Sequence, residues 1–421
     1  MNVAMLHYAS PPVVGGVEST LAYHARGLRK LGHTVRVISG DGAPFGPDID
    51  VHINSLFGSR DPHILAAKKA LDAGQVPAEF NILKAEIAAD LRAALEGFDV
   101  CITHNVHTLN KNLPLTAALA EITRGENPVV KRSLAWCHDL AWANEQYLPE
   151  LHPGAPWNLL KQVWPNTHYV TVSEPRRHEL ARLLKLAPDK ITVVMPGVDL
   201  QRQLFLTDTT QRLAQSLRLM EADGLLLVPA RLTRRKNIEL GLRVLAELRM
   251  QSGKDFRLIV TGPPGPHNPN NPGYLGELLE LRRTLGLEHS AHFLYEQDAA
   301  AGNVSGTTGQ PLVPDDDTMA NLYSLADALF FPSTQEGFGI PVLEAALAYL
   351  PVFCADIPPL RATAGDLANY FDPLHEPASN IAARMLAMLG QLATFALRVR
   401  VRQHFRWDAI IEHTLVPLLQ A

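Results

Sequence analysis

Cysteine is scarce in this chain of 421 residues, and its three copies, Cys101, Cys137 and Cys354, lie far apart without the spacing of metal ligands. A reduced, cytoplasmic compartment is the simplest reading. No block of lysine and arginine stands out, and the formal net charge is −5. That balance argues against nucleic acid as the main partner, while local cations remain able to bind a small phosphorylated molecule. No apolar run approaches the ~20 residues that a membrane span needs, which leaves only peripheral membrane contact open. The first residues, Met1 to His7, lack a basic segment followed by a long apolar core, so no secretory leader is expected. No cluster of carboxylates or histidines has the look of a metal site. What is present is an apolar fraction of 47%, ample for ordinary cores, and a length that predicts two or three domains.

The most informative stretch is Glu336-Gly337-Phe338-Gly339-Ile340-Pro341-Val342-Leu343-Glu344. It follows the apolar run Ala328 to Pro332 and leads into Ala345 to Leu350, so it reads as a buried strand, a tight loop and a helix. Pro341 suits the first helical position, where its missing N–H is no loss. A helix N-terminus leaves backbone N–H groups unpaired and partly positive, which favours phosphate oxygens. Gly337 and Gly339, lacking Cβ, let the backbone come close to a ligand. Carboxylates on both sides of such a cradle would repel phosphate, so Glu336 and Glu344 are expected to accept hydrogen bonds from neutral hydroxyls. A ligand with hydroxyls on both sides of a diphosphate is a nucleotide sugar. Earlier in the chain, the buried run Leu225 to Pro229 is followed by Arg231 and Lys236. An arginine fork grips phosphate bidentately and a lysine acts as a point charge, so the two together suit a leaving diphosphate.

With Glu-x7-Glu around a Gly-Phe-Gly interior, preceded by Arg-x4-Lys, the chain resembles the retaining GT-B glycosyltransferases of the GT4 family (glycosyl transferases group 1). The resemblance is strongest from Ala230 to Gly365. It implies that Arg231 and Lys236 neutralise the donor diphosphate, with Arg234 and Arg235 outside the motif. Glu336 would hold donor-sugar hydroxyls and Glu344 the ribose diol. The backbone of Gly337, Phe338, Gly339, Ile340, Pro341 and Val342 would contact sugar and phosphates. No metal and no cofactor are implied, the nucleoside-diphosphate sugar being a co-substrate, and the family supplies no agreed enzymic nucleophile.

The first half repeats a strand-helix-strand rhythm: Val3 to His7, Val17 to Leu31 and Thr34 to Ser39. The loop between the first two carries Gly15-Gly16, not a Gly-x-Gly-x-x-Gly fingerprint. In the resembled family a loop in this place faces the donor diphosphate, and Gly15, Gly16 and Glu18 match it; simple turn chemistry is the alternative. A helix over Glu79 to Leu95 precedes a buried strand ending in His104-Asn105-Val106-His107, where open α/β sheets bind ligands. His104 and His107 read more readily as structural. The strand Val129 to Ala135 ends in Trp136-Cys137-His138-Asp139, and the resemblance gives His138 a place against the donor sugar. Ser173-Glu174 opens a helix to Leu184 whose first turn holds Arg176 and Arg177, where cations oppose the dipole. With Lys111, Lys131 and Arg132 they form a candidate acceptor cluster, two solvated arginines being the alternative.

Pro196-Gly197-Val198-Asp199 resembles the family's hinge. The expected organisation is an N-terminal Rossmann-like acceptor domain over 1–204 and a donor domain over 205–395. Helices over 396–421 are then expected to return to the first domain. The fold class is α/β, GT-B, two doubly wound domains facing a cleft. In the second half, strands are expected at Phe256 to Gly262, His292 to Tyr295 and Val352 to Ala355, and a loop at Ile357 to Gly365. Two stretches rich in proline, asparagine and glycine, 263–273 and 297–316, are candidate lids or plain insertions. The expected activity is retaining transfer of a hexose from a nucleoside-diphosphate sugar to a small acceptor. UDP-glucose is the first guess for the donor. A phosphorylated acceptor such as fructose 6-phosphate follows from sucrose-phosphate synthases and inositol-phosphate transferases of the family. A lipid or polysaccharide acceptor, a non-hydrolysing nucleotide-sugar epimerase and a non-catalytic binding protein are the alternatives.

Overall fold

The computed structural model describes residues 1–124, 128–265, 271–297 and 311–420. Much of the two candidate lids, 266–270 and 298–310, lies outside the described residues. The chain divides into two compact units, one of Met1–Gly197 with Trp407–Ala421, the other of Val198–Arg406.

The first unit is built on seven parallel strands: β1 (Asn2–His7), β2 (Thr34–Ser39), β3 (Asp50–Ile53), β4 (Val100–His104), β5 (Arg132–Cys137), β6 (Thr167–Thr171) and β7 (Ile191–Val193). Their order in the sheet is β3-β2-β1-β4-β5-β6-β7. The inner strands are buried along nearly their whole length, as a parallel sheet covered by helices on both faces requires. Winding runs outward in both directions from the β1/β4 neighbours. This is the switch point where the crossover connections diverge and leave room beyond the carboxyl ends of the strands.

The second unit repeats the plan with β8 (Gly224–Val228), β9 (Phe256–Val260), β10 (Ala291–Phe293), β11 (Ala328–Phe331), β12 (Val352–Ala355) and β13 (Asn369–Phe371), ordered β10-β9-β8-β11-β12-β13 and parallel throughout. Its switch point lies between β8 and β11. The runs Leu-Leu-Leu-Val and Ala-Leu-Phe-Phe at these two strands are fully buried, and Phe330 stacks on Phe371 at 5.1 Å.

Residues 407–420 complete the core of the first unit. Trp407 stacks on Tyr23 at 5.2 Å, and Ile411, Leu415 and Leu419 bury against the apolar face formed by Leu21, Ala25 and Leu28. Gly27 is required here, because a Cβ on it would stand 2.3 Å from Ile411 Cδ1. The return begins later than the expected residue 396. The helix Ala393–His404 stays with the second unit because Arg402 donates to the buried Asp327 at 2.8 Å and to the Ala222 carbonyl at 2.9 Å, while Arg398 caps the Ser324 carbonyl at 2.7 Å.

Two local expectations are corrected. Pro341 is the second residue of the helix Ile340–Leu347, not the first, because Gly339 at φ +100° is the cap. The expected loop after β12 is a helix, Pro358–Ala364, opened by two prolines and stopped by Gly365 at φ +56°. Among the described residues no single helix is long and apolar enough to cross a membrane. One pair, Ala378–Gln391 with Ala393–His404, passes that test only jointly and is bent by 84°, and its first member buries Ile381, Ala382, Met385 and Leu389 in the core.

Candidate functional site

In the second unit, Lys236 follows β8 and Glu336 follows β11. The switch-point pairing of those strands brings them together although a hundred positions separate them. Lys236 ends a short 3-10 turn, Arg234–Lys236, and Asn237 at φ +49° redirects the chain into the helix Ile238–Ser252. Asparagine tolerates this left-handed geometry better than most side chains. The Lys236 ammonium donates to Glu336 Oε1. It also lies 4.9 Å from the centre of the Phe331 ring. Burial lowers its pKa below the ordinary lysine value, against the raising pull of Glu336; neighbouring Arg235 lowers it further.

Arg235 also belongs to this group, a contact that the motif does not foretell. Its guanidinium donates to the Gln335 carbonyl at 2.9 Å and reaches Glu336 Oε2 at 3.4 Å. The backbone N–H of Thr334 in turn bonds the Arg235 carbonyl at 2.8 Å. Arg231 is exposed. Next to it, Leu232 pairs with the loop after β9, its N–H bonding the Pro263 carbonyl at 3.0 Å. A Cβ on Gly262 would stand 2.6 Å from Arg231 Cα, so that glycine permits the two loops to touch.

Gly337 and Gly339 differ in what they do. Gly339 holds φ +100°, and a Cβ there would sit 2.4 Å from Leu360 Cδ2, whereas a Cβ on Gly337 would meet nothing within 4 Å. The fold therefore demands Gly339, and only Gly337 is left open for close approach of a ligand. Among the described residues the backbone N–H groups of Gly337, Phe338, Gly339 and Ile340 reach no acceptor. The Phe338 carbonyl is held by the Thr363 hydroxyl at 2.5 Å. Phe338 and Ile340 are exposed, Val342 is buried and Pro341 is half-buried. Glu344, exposed on the same helix, accepts from the buried Tyr323 hydroxyl at 2.6 Å. The phenol's pKa is raised by burial and by that carboxylate.

In the first unit the carboxyl ends of β1, β4 and β5 carry His7, His104 and His138. His7 Nδ1 is 2.9 Å from the His104 carbonyl and must donate to it, since a carbonyl only accepts. Its Nε2 faces Glu18 at 3.7 Å, and this contact, ahead of the opposing burial, holds the Glu18 carboxyl below its usual range. Gly15 is the N-cap of the helix Gly16–Lys30. It makes room for that carboxylate, because a Cβ on it would stand 2.0 Å from Glu18 Oε2, while Gly16 has nothing within 4 Å. His138 Nε2 lies 3.0 Å from His104 Nδ1. Asn105, at φ +63°, accepts from the backbone N–H groups of His138 and Asp139 at 2.8 and 3.0 Å and donates to the Asp139 carboxylate at 3.0 Å. Burial pushes His138 down to about 3 and His104 well below its ordinary value.

His107 turns away from this group. It is buried, bonded to Thr103 at 2.8 Å and packed on Trp164, a structural place. Among the described residues, four of the five proposed acceptor cations, all but Arg132, have a side-chain partner. Arg176 pairs with Glu179 at 2.7 Å and Arg177 with Glu174 at 2.6 Å on their own helix. Lys111 lies 4.8 Å from the Tyr147 ring, and Lys131 is 3.6 Å from Asp99. Among the described residues no three His, Cys, Asp or Glu side chains converge to hold a metal ion.

Two doubly wound parallel units, each with polar residues gathered at its switch point, make up the GT-B architecture. Sequence comparison agrees. Residues 14–202 match the family described as Glycosyltransferase Family 4, and residues 210–384 match Glycosyl transferases group 1. Among curated relatives, the mannosylglucosylglycerate synthase of Thermotoga maritima is 25% identical over 378 residues, 84% of this chain and 80% of that protein. The D-inositol 3-phosphate glycosyltransferase of Saccharomonospora viridis is 31% identical over 56% of this chain, and the match spans about half of that relative, 52%. A solved sucrose-phosphate synthase from Thermosynechococcus elongatus aligns over 100% of this chain and 98% of its own at 16% identity, with a TM-score of 0.39. The chain belongs to the group 1, family 4 glycosyltransferases.

Proposed function

We propose that this glycosyltransferase moves a hexosyl group from a nucleoside-diphosphate sugar to a small hydroxylated acceptor with retention of anomeric configuration, without a metal ion. The observation that carries the reading is the desolvated Lys236, fixed by Glu336 beside the open N–H groups of Gly337 to Ile340. As the bond from the sugar carbon to the diphosphate oxygen lengthens, negative charge grows on the oxygen. Lys236, Arg231 and the helix N-terminus are the preorganised charges that stabilise it. The acceptor hydroxyl forms the new bond to the same carbon and gives its proton to the departing phosphate, so a nucleoside diphosphate leaves and no enzymic nucleophile is assigned. Glu336 is assigned to sugar hydroxyls, exchanging part of its contact with Lys236 when the donor binds. Glu344 is assigned to the ribose diol, and His138 to the transferred sugar.

UDP-glucose remains the first donor to try. The name of the D-inositol 3-phosphate glycosyltransferase relatives supports a phosphorylated polyol or sugar as acceptor, with fructose 6-phosphate and inositol 3-phosphate the first pair. Arg176 and Arg177 support it less, since each already has a carboxylate. Three buried free cysteines suit a reducing compartment such as the cytoplasm. The test is thermal shift against a panel of nucleotide sugars, in which a bound donor raises the melting point by mass action. Product analysis follows with each acceptor and its unphosphorylated form, with and without EDTA. Transfer that continues in EDTA and gives the donor's own anomeric configuration is the expected result. Inverted product, or loss in EDTA reversed by a divalent ion, would replace this mechanism.

A further inference from the structure

His138 does not stand alone at the end of β5. Its Nε2 lies 3.0 Å from Nδ1 of His104, and the ring planes are 29° from parallel with centroids 5.3 Å apart, a separation that suits rings bonded edge to edge. Burial keeps both rings uncharged. Between two neutral imidazoles one nitrogen must carry the hydrogen and the other must be bare, so the pair has two arrangements. In the first, His138 Nε2 donates and His104 carries its own hydrogen on Nε2, a fully buried nitrogen without a partner. That leaves an orphaned N–H. In the second, His104 Nδ1 donates and the buried orphan is a bare acceptor. By analogy with backbone groups, where an orphaned buried N–H is rarer than an under-satisfied acceptor, the second arrangement is favoured. His138 then accepts on Nε2 and carries its hydrogen on Nδ1. That nitrogen is not among the sealed, unpartnered atoms and has no bond to the described residues.

We infer that His104 is a positioning residue, which fixes His138 in the Nδ1–H tautomer so that the first unit presents a neutral hydrogen-bond donor at the carboxyl end of β5. The use of that donor, toward a sugar hydroxyl, rests on the assignment of His138 made above. The tautomer itself does not. Asn105 supports the same outcome by holding the His138 backbone N–H at 2.8 Å, so the ring has a fixed origin from which to meet His104.

Nitrogen–proton NMR of histidine-labelled protein reads the tautomer of each ring, with signals assigned by their loss in His104→Asn and His138→Asn. The expected wild-type result is both rings protonated at Nδ1. His104→Leu, which has no donor, should shift His138 toward the other tautomer and lower turnover roughly tenfold, about one hydrogen bond's worth. His104→Asn keeps an amide donor and should restore part of both. A wild-type His138 protonated at Nε2 overturns the inference, as does a His138 tautomer unmoved in His104→Leu. Should His104→Leu fail to fold, the wild-type spectrum decides alone. If the tautomers are as stated while His138→Ala turns over donor normally, the pairing stands and the assignment of His138 to the donor falls.

Discussion

In the mechanism proposed above, Lys236→Ala removes a desolvated cation whose value grows as charge develops on a departing diphosphate. Turnover is therefore expected to fall by about 10²–10³. Folding stability should drop by only about 1–3 kcal/mol, because Glu336 is left partly buried with only the more distant Arg235, at 3.4 Å, to pair it. Nucleotide release at saturating donor, read beside denaturant unfolding, separates the two effects, and near-normal turnover would take Lys236 out of the mechanism. Tyr323→Phe acts one contact further out. It leaves Glu344 without the hydrogen bond now 2.6 Å long, and nucleoside-diphosphate affinity measured by calorimetry should weaken by about 0.5–1.5 kcal/mol. Unchanged affinity would mean that Glu344 needs no orientation from Tyr323. Of these residues, Lys236 and Glu336 were legible in the sequence through their motif spacing. Tyr323 and Arg235 were not, since nothing in a linear pattern says which helix or loop will lie against a given carboxylate.

The loop and helix from Gly337 to Leu347 give a test of which glycine serves the fold and which is left for a ligand. Gly339→Ala forces a side chain into the left-handed region and onto Leu360, and a loss of about 1–3 kcal/mol is expected. Gly337→Ala has no protein neighbour to strike, so its stability should stay within about 0.5 kcal/mol of wild type. Denaturant midpoints check both. If Gly337→Ala then weakens donor binding at unchanged stability, close approach of a ligand is the remaining explanation; unaltered binding would deny Gly337 that part. The helix Pro358–Ala364, expected as a loop, has a bearing on the same element. Its Leu360 fills the space beside Gly339 and its Thr363 holds the Phe338 carbonyl. A run opening Pro-Pro reads as a turn, yet proline in the first turn of a helix gives up no intrahelical bond.

Across the molecule, buried uncharged histidines set how stability depends on pH. His24 and His107 are held down to about 3 by burial, His138 likewise, and His292 to about 4. A folded pKa below the unfolded value means that the unfolded chain binds more protons between them. Stability is therefore full above about pH 6.5 and is lost as pH falls toward the folded values, by up to about 1.4 kcal/mol per pH unit for each such histidine. Urea unfolding at about pH 7 and about pH 5 should show this loss. His24 is a clean probe, because neither ring nitrogen has a partner and the ring sits 4.5 Å from that of Trp136. His24→Phe should flatten the slope by about one proton. An unaltered slope would place His24 outside the titration.

The sequence by itself determined the alternation of buried strands and helices, the Glu-x7-Glu and Arg-x4-Lys motifs and hence the family. Hydrophobic runs and local turn chemistry are recorded in consecutive residues. Strand neighbours are not so recorded. Only the tertiary structure placed β8 beside β11, and β4 between β1 and β5, and so joined Lys236 to Glu336 and His104 to His138. It also gave Arg176 and Arg177 carboxylate partners, a local i to i+3 contact that a charge pattern shows only once the helix and its rotamers are fixed. The C-terminal segment was divided in the same way: Arg398 and Arg402 hold the helix Ala393–His404 to the second unit, and the chain joins the first only from Trp407. Burial of a side chain is written in the pattern of its neighbours in sequence, whereas the partner it meets is fixed by the order of strands in a sheet.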